Sequence, residues 1–514
     1  MPQDLPGFYY DAEKNRYFPC KGPIPGSAST SSSKSSTKPV PREIKFSRKN
    51  EVRTSKLLHV RELFGNLISS KKGKCNFKEE FRKTRASHPK VWKYFGTEKI
   101  GDSALERINV DVQLLEGQTK TDVLLAGGIN GSLSFSDVGK ARQQSDGLQS
   151  IPYCVWPITR GEETKCSVSP EHIWRETGAS LLMSSNISCI KTFRKNSSSA
   201  MEDGGSVQHA MISTLGSERH GGSLCIINLS EPLEFDHAAL FIRRRIQEIA
   251  NFNCTIWTAD CGSNKNRVVI GTNMGAALVD PETGGTSWVL RSKSDVLAQQ
   301  LVHSGNVVLC GLRNGAVISV DVREKREGSG RLVRHRISQL PLNSTTAKSS
   351  KRWFKLSGNL YPSHTIQLPS SISCLVSLQY DDQYFLASSM DGSVKLYDHR
   401  LCQRGAVQSY EGHVNSHTRI QLGVDPSERF IMSGGEDCYL RIWSIKSGEL
   451  LFRDKFSSTI LSTVSWQRRE ELKPYTGLTG ETNTATDYHE EQSSSIGASA
   501  WLGSQEGLFS MQWP

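Results

Sequence analysis

The 514-residue sequence has no C-x-x-C pair among its 12 cysteines and no uninterrupted apolar run approaching the ~20 residues of a bilayer crossing. The closest cysteine spacing, Cys254 to Cys261, is longer than a zinc knuckle uses. The thiols therefore read as free and partly buried, and neither a metal nor a cofactor is expected. G-x-x-x-x-G-K-[ST], H-E-x-x-H and a strand-borne G-x-G-x-x-G are all missing, as is the G-x-S-x-G elbow of a nucleophilic serine. No residue is assigned a catalytic role, and the protein is read as a non-enzyme. Met1 to Tyr10 has neither a basic n-region nor an apolar h-region. The expected location is nucleus or cytoplasm, not a secretory route or a membrane.

What is present is unevenly distributed. The formal net charge is +11, yet residues 1–110 hold 23 basic and 11 acidic side chains, leaving 40 and 41 for the rest. Basicity belongs to an N-terminal arm. Its first 18 residues are aromatic-rich (LPGFYYD, RYF) and suggest a docking segment or local clasp. Residues 19–50 are dominated by Ser, Thr, Pro, Gly and Lys; with little to bury, they cannot offset their ordering entropy and are expected to be a disordered linker. In 51–104, Leu57, Val60, Phe64 and Leu67 or Ile68 have helical spacing, which predicts an amphipathic helix over Ser55–Ile68. Lys71-Lys72-Gly73-Lys74 and Phe81–Lys93 could serve nuclear import or contact nucleic acid, with Trp92 and Tyr94 available for stacking, or could be ordinary solvated surface.

From residue 105 the sequence repeats an apolar strand, a turn usually containing Gly, and a second strand. Equivalent turn positions are Gly131, Gly222, Gly275, Gly315, Gly392, Cys438 and Gly507, separated by 91, 53, 40, 77, 46 and 69 residues. The shortest interval matches the ~40–45 residues of a propeller blade, so the excess is expected as insertions near 157–207, 324–369 and 468–498. This predicts an all-β, seven-bladed propeller over 105–514, preceded by the basic, partly disordered arm. The seventh unit shows three strands, and Val91–Phe95 is expected to supply its fourth, with Ile108–Leu115 opening blade 1.

In the sixth unit Gly412-His413 is followed by Ile442-Trp443, an arrangement that resembles a WD repeat. The resemblance implies that His413, Ser433, Asp437 and Trp443 form a buried, hydrogen-bonded structural set. In the fourth and fifth units the third strand ends in Asp321-Val322-Arg323 and Asp398-His399-Arg400. Each Asp is suited to cap a turn. Each Arg is either a solvated partner of that Asp or half of a pair of guanidinium forks suited to carboxylates or carbonyls on another protein.

Paired Asp-x-Arg tripeptides on successive blades are similar to those of the WD-repeat substrate receptors of cullin-4 RING ubiquitin ligases, the damaged-DNA-binding-protein and cullin-4 associated factors. LPGFYYD with RYF, SDVLAQQ at 294–300, YEGHVN at 410–415 and EDCYLRIWS at 436–444 resemble the fourth numbered branch of that family. The resemblance implies that Arg323 and Arg400 contact the damaged-DNA-binding-protein adaptor while Asp321 and Asp398 hold their loops. It also implies a non-catalytic receptor that presents an unidentified target protein for ubiquitination, with Ser55–Ile68 either an adaptor-binding helix or a helix whose apolar face packs under the propeller. The alternative from the arm's charge is a WD-repeat scaffold in a nuclear RNA or chromatin complex.

Overall fold

The computed structural model describes residues 8–11, 16–19, 54–65, 67–70, 73–114, 117–139, 152–157, 170, 172–196, 206–217, 220–234, 238–262, 267–302, 305–323, 333–337, 352–357, 364–466 and 499–513. The chain divides into two units, Met1–Val52 and Arg53–Pro514. In the first, Phe8–Asp11 pairs antiparallel with Arg16–Pro19, setting Tyr9 opposite Phe18 and Tyr10 opposite Tyr17. The linker region 20–50 and the 468–498 stretch lie outside the described residues.

The second unit is a seven-bladed β-propeller. From the innermost strand outward, blade 4 is Val296–Val302, Val307–Leu312, Ala316–Asp321 and Ile366–Gln367, and blade 5 is Ile372–Ser377, Tyr384–Ser389, Val394–Asp398 and Gln408–Tyr410. Blade 6 follows the same meander through Leu422–Val424, Phe430–Ser433, Leu440–Ser444 and Leu450–Asp454. All six residues of Ala316–Asp321 are buried, because each sheet is sandwiched between two others and both of its faces must be apolar. Successive side chains therefore serve different neighbours. Val123 and Leu125 join a cluster with blade 2, whereas Leu124 joins Trp501 and Leu508 of blade 7. Seven such clusters lie one between each pair of adjacent blades. The turn glycines enter the left-handed region, as in Gly315 at φ 87°, and Cys438 adopts it without being glycine, at φ 63°.

The ring closes through chain that precedes it. Lys90–Lys93 pairs antiparallel with Phe509–Gln512 as the fourth strand of blade 7. A fifth strand, Tyr153–Trp156, comes from the insertion after the third strand of blade 1 and pairs with Lys90–Lys93. The first strand of blade 1 runs over Ala104–Leu114, four residues earlier than expected at its start. The 157–207 stretch is more than insertion: it supplies Arg175–Leu182, the outer strand of blade 1, and Ile187–Asn196, the innermost strand of blade 2. Polar and Gly residues in ETGAS concealed the first of these. Within 324–369, Val333–Ile337 and Arg352–Ser357 form a hairpin that widens blade 3 to six strands.

Helix α1 is Thr54–Phe64, shorter than the expected Ser55–Ile68. Gly65, at φ 72° with its N–H on the Arg61 carbonyl at 2.8 Å, ends the helix in a left-handed cap, and Leu67–Ser70 is a strand. Helix α2, Phe77–Ala86, is capped by Asn76, whose side chain accepts the Lys78 amide. Leu57 is buried against Phe77, so this part of the apolar stripe is spent inside the arm. Lys83 pairs with Glu80 and Glu449, Lys446 reaches Glu79, and Trp513 donates to the Ala86 carbonyl at 3.2 Å, which fastens α2 beside blades 6 and 7. Trp92 and Tyr94 are 4% and 1% exposed, and the Tyr94 hydroxyl donates to the His172 carbonyl. They are core residues of the closing strand and the position just after it, which corrects the expectation that they could stack on bases.

Val91→Asp would place a carboxylate at a fully buried position between blades 6 and 7. It is expected to cost about 3 kcal/mol or more and to lower the thermal midpoint by several degrees, as followed by circular dichroism.

Candidate functional site: the arginine rim of blades 4 and 5

In a meander of antiparallel strands, the end of the third strand shares one side of the ring with the turn between the first and second. Arg323 and Arg400 follow the third strands of adjacent blades and so emerge on that same side. Asp321 accepts the Arg323 amide at 2.9 Å through Oδ1, and its two oxygens take Nε at 3.2 Å and Nη2 at 2.7 Å. Asp398 repeats this with the Arg400 amide at 2.9 Å, Nε at 3.1 Å and Nη2 at 2.9 Å. The carboxylates are 3% and 5% exposed, the arginines 65% and 60%. Each aspartate is thus buried and fully used, while each guanidinium is aimed outward in a fixed plane.

Blade 1 separates the cap from the arginine. Asp137 accepts the Gly139 amide at 3.0 Å, the same two-residue cap, but Gly139 offers no side chain. In blade 3, Asp280 caps a tight exposed turn through Glu282 and Thr283. The aspartate cap recurs in blades 1, 3, 4 and 5, and an arginine held by it occurs, among the described residues, in blades 4 and 5.

The Arg400 hydrogen bond, followed by the loop amide and the guanidinium charge, holds the Asp398 carboxyl below the usual carboxylate range. With its folded value depressed, this aspartate contributes stability above about pH 4 that is lost as pH falls through the lowered value. After Asp398 the chain forms a short 3-10 helix, His399–Arg404, which carries Arg400 and in which Cys402 is buried. The His399 amide donates to the Gln383 carbonyl at 2.8 Å, joining the arginine loop to the turn between the first two strands of blade 5. Tyr380 in that turn is 79% exposed, and Leu401 and Val407 are 41% and 57% exposed. Sequence reasoning missed these three, since nothing in their spacing separates an exposed turn residue from a packed one.

The four residues expected to form one buried set in blade 6 divide into three arrangements. His413 Nε2 lies 2.9 Å from the Gly434 carbonyl and 3.3 Å from Ser433 Oγ, and burial pushes its pKa down, keeping the ring neutral. The Trp443 indole donates instead to the Glu411 carbonyl at 2.9 Å. Asp437 is taken by Arg441, with Nη1 to Oδ1 at 2.9 Å and Nη2 to Oδ2. Arg441 is completely buried, so leaving it unpaired would cost more than leaving a neutral imidazole one bond short. The i, i+4 spacing of Asp437 and Arg441 in EDCYLR was the overlooked signal.

No group of three or more His, Cys, Asp or Glu side chains among the described residues is placed to hold a metal. Among the described residues, no helix is long and apolar enough to cross a membrane. Asp437→Ala, which strands the Arg441 charge, is expected to cost about 3–5 kcal/mol in urea unfolding. Asp437→Ala with Arg441→Met should recover most of that loss; no recovery would show that Asp437 serves another partner.

Residues 354–463 match a family model described as the DDB1- and CUL4-associated factor 4 beta-propeller domain. That stretch includes Arg400 and the blade 6 residues from His413 to Trp443, and excludes Asp321 and Arg323. Human DDB1- and CUL4-associated factor 4 is 31% identical over 160 residues, covering 31% of this chain and 26% of that protein. The cattle protein of the same name is 29% identical over 160 residues, with the same coverage of 31% and 26%. Human DDB1- and CUL4-associated factor 4-like protein 2 is 31% identical over 160 residues, 31% of this chain and 32% of that one. The chain thus spans about a quarter to a third of the length of the curated relatives it matches. Blade count, WD-type sixth repeat and these matches together make the chain a seven-bladed WD-repeat β-propeller related to the DDB1- and CUL4-associated factor 4 family.

Proposed function

We propose that the protein is a non-catalytic substrate receptor of a cullin-4 RING ubiquitin ligase, which grips the damaged-DNA-binding-protein adaptor through Arg323 and Arg400. The observation that carries the reading is the repetition of one geometry. Two adjacent blades each present an exposed guanidinium locked to a buried aspartate on the same side of the ring. A locked fork has already lost its rotamer freedom, so binding an acceptor costs less entropy than it would with a free arginine. The receptor contributes proximity: a bound target lysine gains effective concentration near the ubiquitin-transfer machinery. A location in nucleus or cytoplasm accords with this reading.

The names of the relatives support a DDB1- and CUL4-associated role, and the match includes Arg400. The competing scaffold reading relies on nucleic acid binding by the arm. Its two proposed stacking residues are buried, and Lys83 and Lys93 are engaged with Glu449 and Glu506. Helix α1 is a weaker adaptor element than the rim, since Leu57 packs on Phe77.

Arg323→Ala with Arg400→Ala should abolish co-purification of the adaptor while moving the thermal midpoint by no more than a few degrees. Undiminished adaptor binding by the double variant refutes the rim as the contact. Salt-dependent RNA or DNA binding that disappears on deleting residues 1–104 would support the scaffold reading instead.

A further inference from the structure

We propose that the adaptor contact extends from Arg400 onto Tyr380, and that Glu428 of blade 6 is the positioning residue that sets it. This rests on the receptor reading above. Tyr380 lies in the turn joining the first two strands of blade 5, on the side of the ring where Arg400 emerges. The His399 to Gln383 hydrogen bond ties that turn to the arginine loop, and Tyr384 pairs in register with Asp398. The two residues are therefore carried by one connected piece of backbone.

An exposed tyrosine alone is unremarkable on a protein surface. What sets this one apart is the support beneath it. The Gln379 and Tyr380 amides both donate to the Glu428 carboxylate, the latter at 3.0 Å, so the turn is pinned by the neighbouring blade. Glu428 has φ 52°, a conformation that costs a side-chain-bearing residue about 1 kcal/mol or more. Asp425 stabilises that turn by accepting amides from Ser427, Arg429 and Phe430. Strain in blade 6 is thus used to hold the backbone of blade 5 beneath an exposed tyrosine ring.

The chemistry of the patch selects its occupant. Arg400 spends Nε and Nη2 on Asp398, leaving Nη1 to donate outward. Leu401 and Val407 flank it with exposed apolar surface. An arginine and a tyrosine with aliphatic neighbours are the composition of a protein-interface centre. Asp381 and Asp382, both exposed beside Tyr380, would repel a phosphate backbone, which disfavours nucleic acid. The surface fits a folded protein offering a neutral carbonyl oxygen to Arg400 and an apolar pocket to Tyr380.

The test titrates the full-length chain with purified adaptor and compares wild type, Tyr380→Ala, Tyr380→Phe, Glu428→Gln, Tyr380→Ala/Glu428→Gln and the double Arg variant. Ile129→Ser, on the opposite side of the ring, serves as control. Tyr380→Ala should weaken binding about tenfold or more, and Tyr380→Phe by no more than about threefold, with thermal midpoints unchanged. Glu428→Gln should weaken it too, but add nothing in the Tyr380→Ala background, a coupling that a purely structural role would not produce. Wild-type affinity in Tyr380→Ala, alongside loss in the double Arg variant, overturns this extension and leaves the receptor reading standing. No binding by wild type overturns both.

Discussion

The antiparallel pairing of Lys90–Lys93 with Phe509–Gln512 closes the ring and thereby holds every blade in place. Without it, blade 7 would end in an open sheet edge and the cluster shared by blades 7 and 1 would lose Trp92 and Tyr94. Because the strand that closes the ring comes from chain preceding it, unravelling at either end of the ring exposes apolar surface at the other. Tyr153–Trp156 adds a second layer, and Trp156 meets Phe452 of blade 6 edge-on at 5.9 Å between centroids. A closed ring fixes the angular spacing of its blades, and only then do two arginines on adjacent blades define one surface.

The rim illustrates how a repeat comes to present two fixed guanidinium groups at small structural cost. The aspartate cap at the end of the third strand is present in blade 1 as well as in blades 4 and 5, satisfying an amide that the turn would otherwise leave unpaired. In blades 4 and 5 the residue supplying that amide is arginine, and the carboxylate that caps the turn also orients the guanidinium. Blade 6 shows the contrary use of the same chemistry: Arg441 is drawn wholly inside and absorbs Asp437, stiffening the repeat and presenting nothing to a partner.

Much of the fold was legible because blades are local. A strand, a turn with positive φ and a second strand recur within a few residues, and six of the seven proposed turn positions have φ between 63° and 135°. Gly222 is the exception, since the longer blade 2 turn places its left-handed residue at Gly216. The paired aspartates and arginines were legible for the same reason, each pair being two residues apart. Arg175–Leu182 was not, because its partner strand lies some 40 residues away and its polar sequence has no period of its own. The contest for Asp437 was also hidden, being decided by the complete burial of Arg441, which spacing does not report. Tyr380 escaped because its significance comes from a carboxylate 48 residues later in another blade.

On the receptor reading, the partner sits on the side of the ring that carries Arg323 and Arg400. Hydrogen–deuterium exchange of the full-length protein, alone and with purified adaptor, tests it most directly. New protection is expected over the turn 378–383 and the loop 399–407, with the opposite turns around Ile129 and Met274 unchanged. Protection confined to those opposite turns, or to α1 and α2, would contradict it.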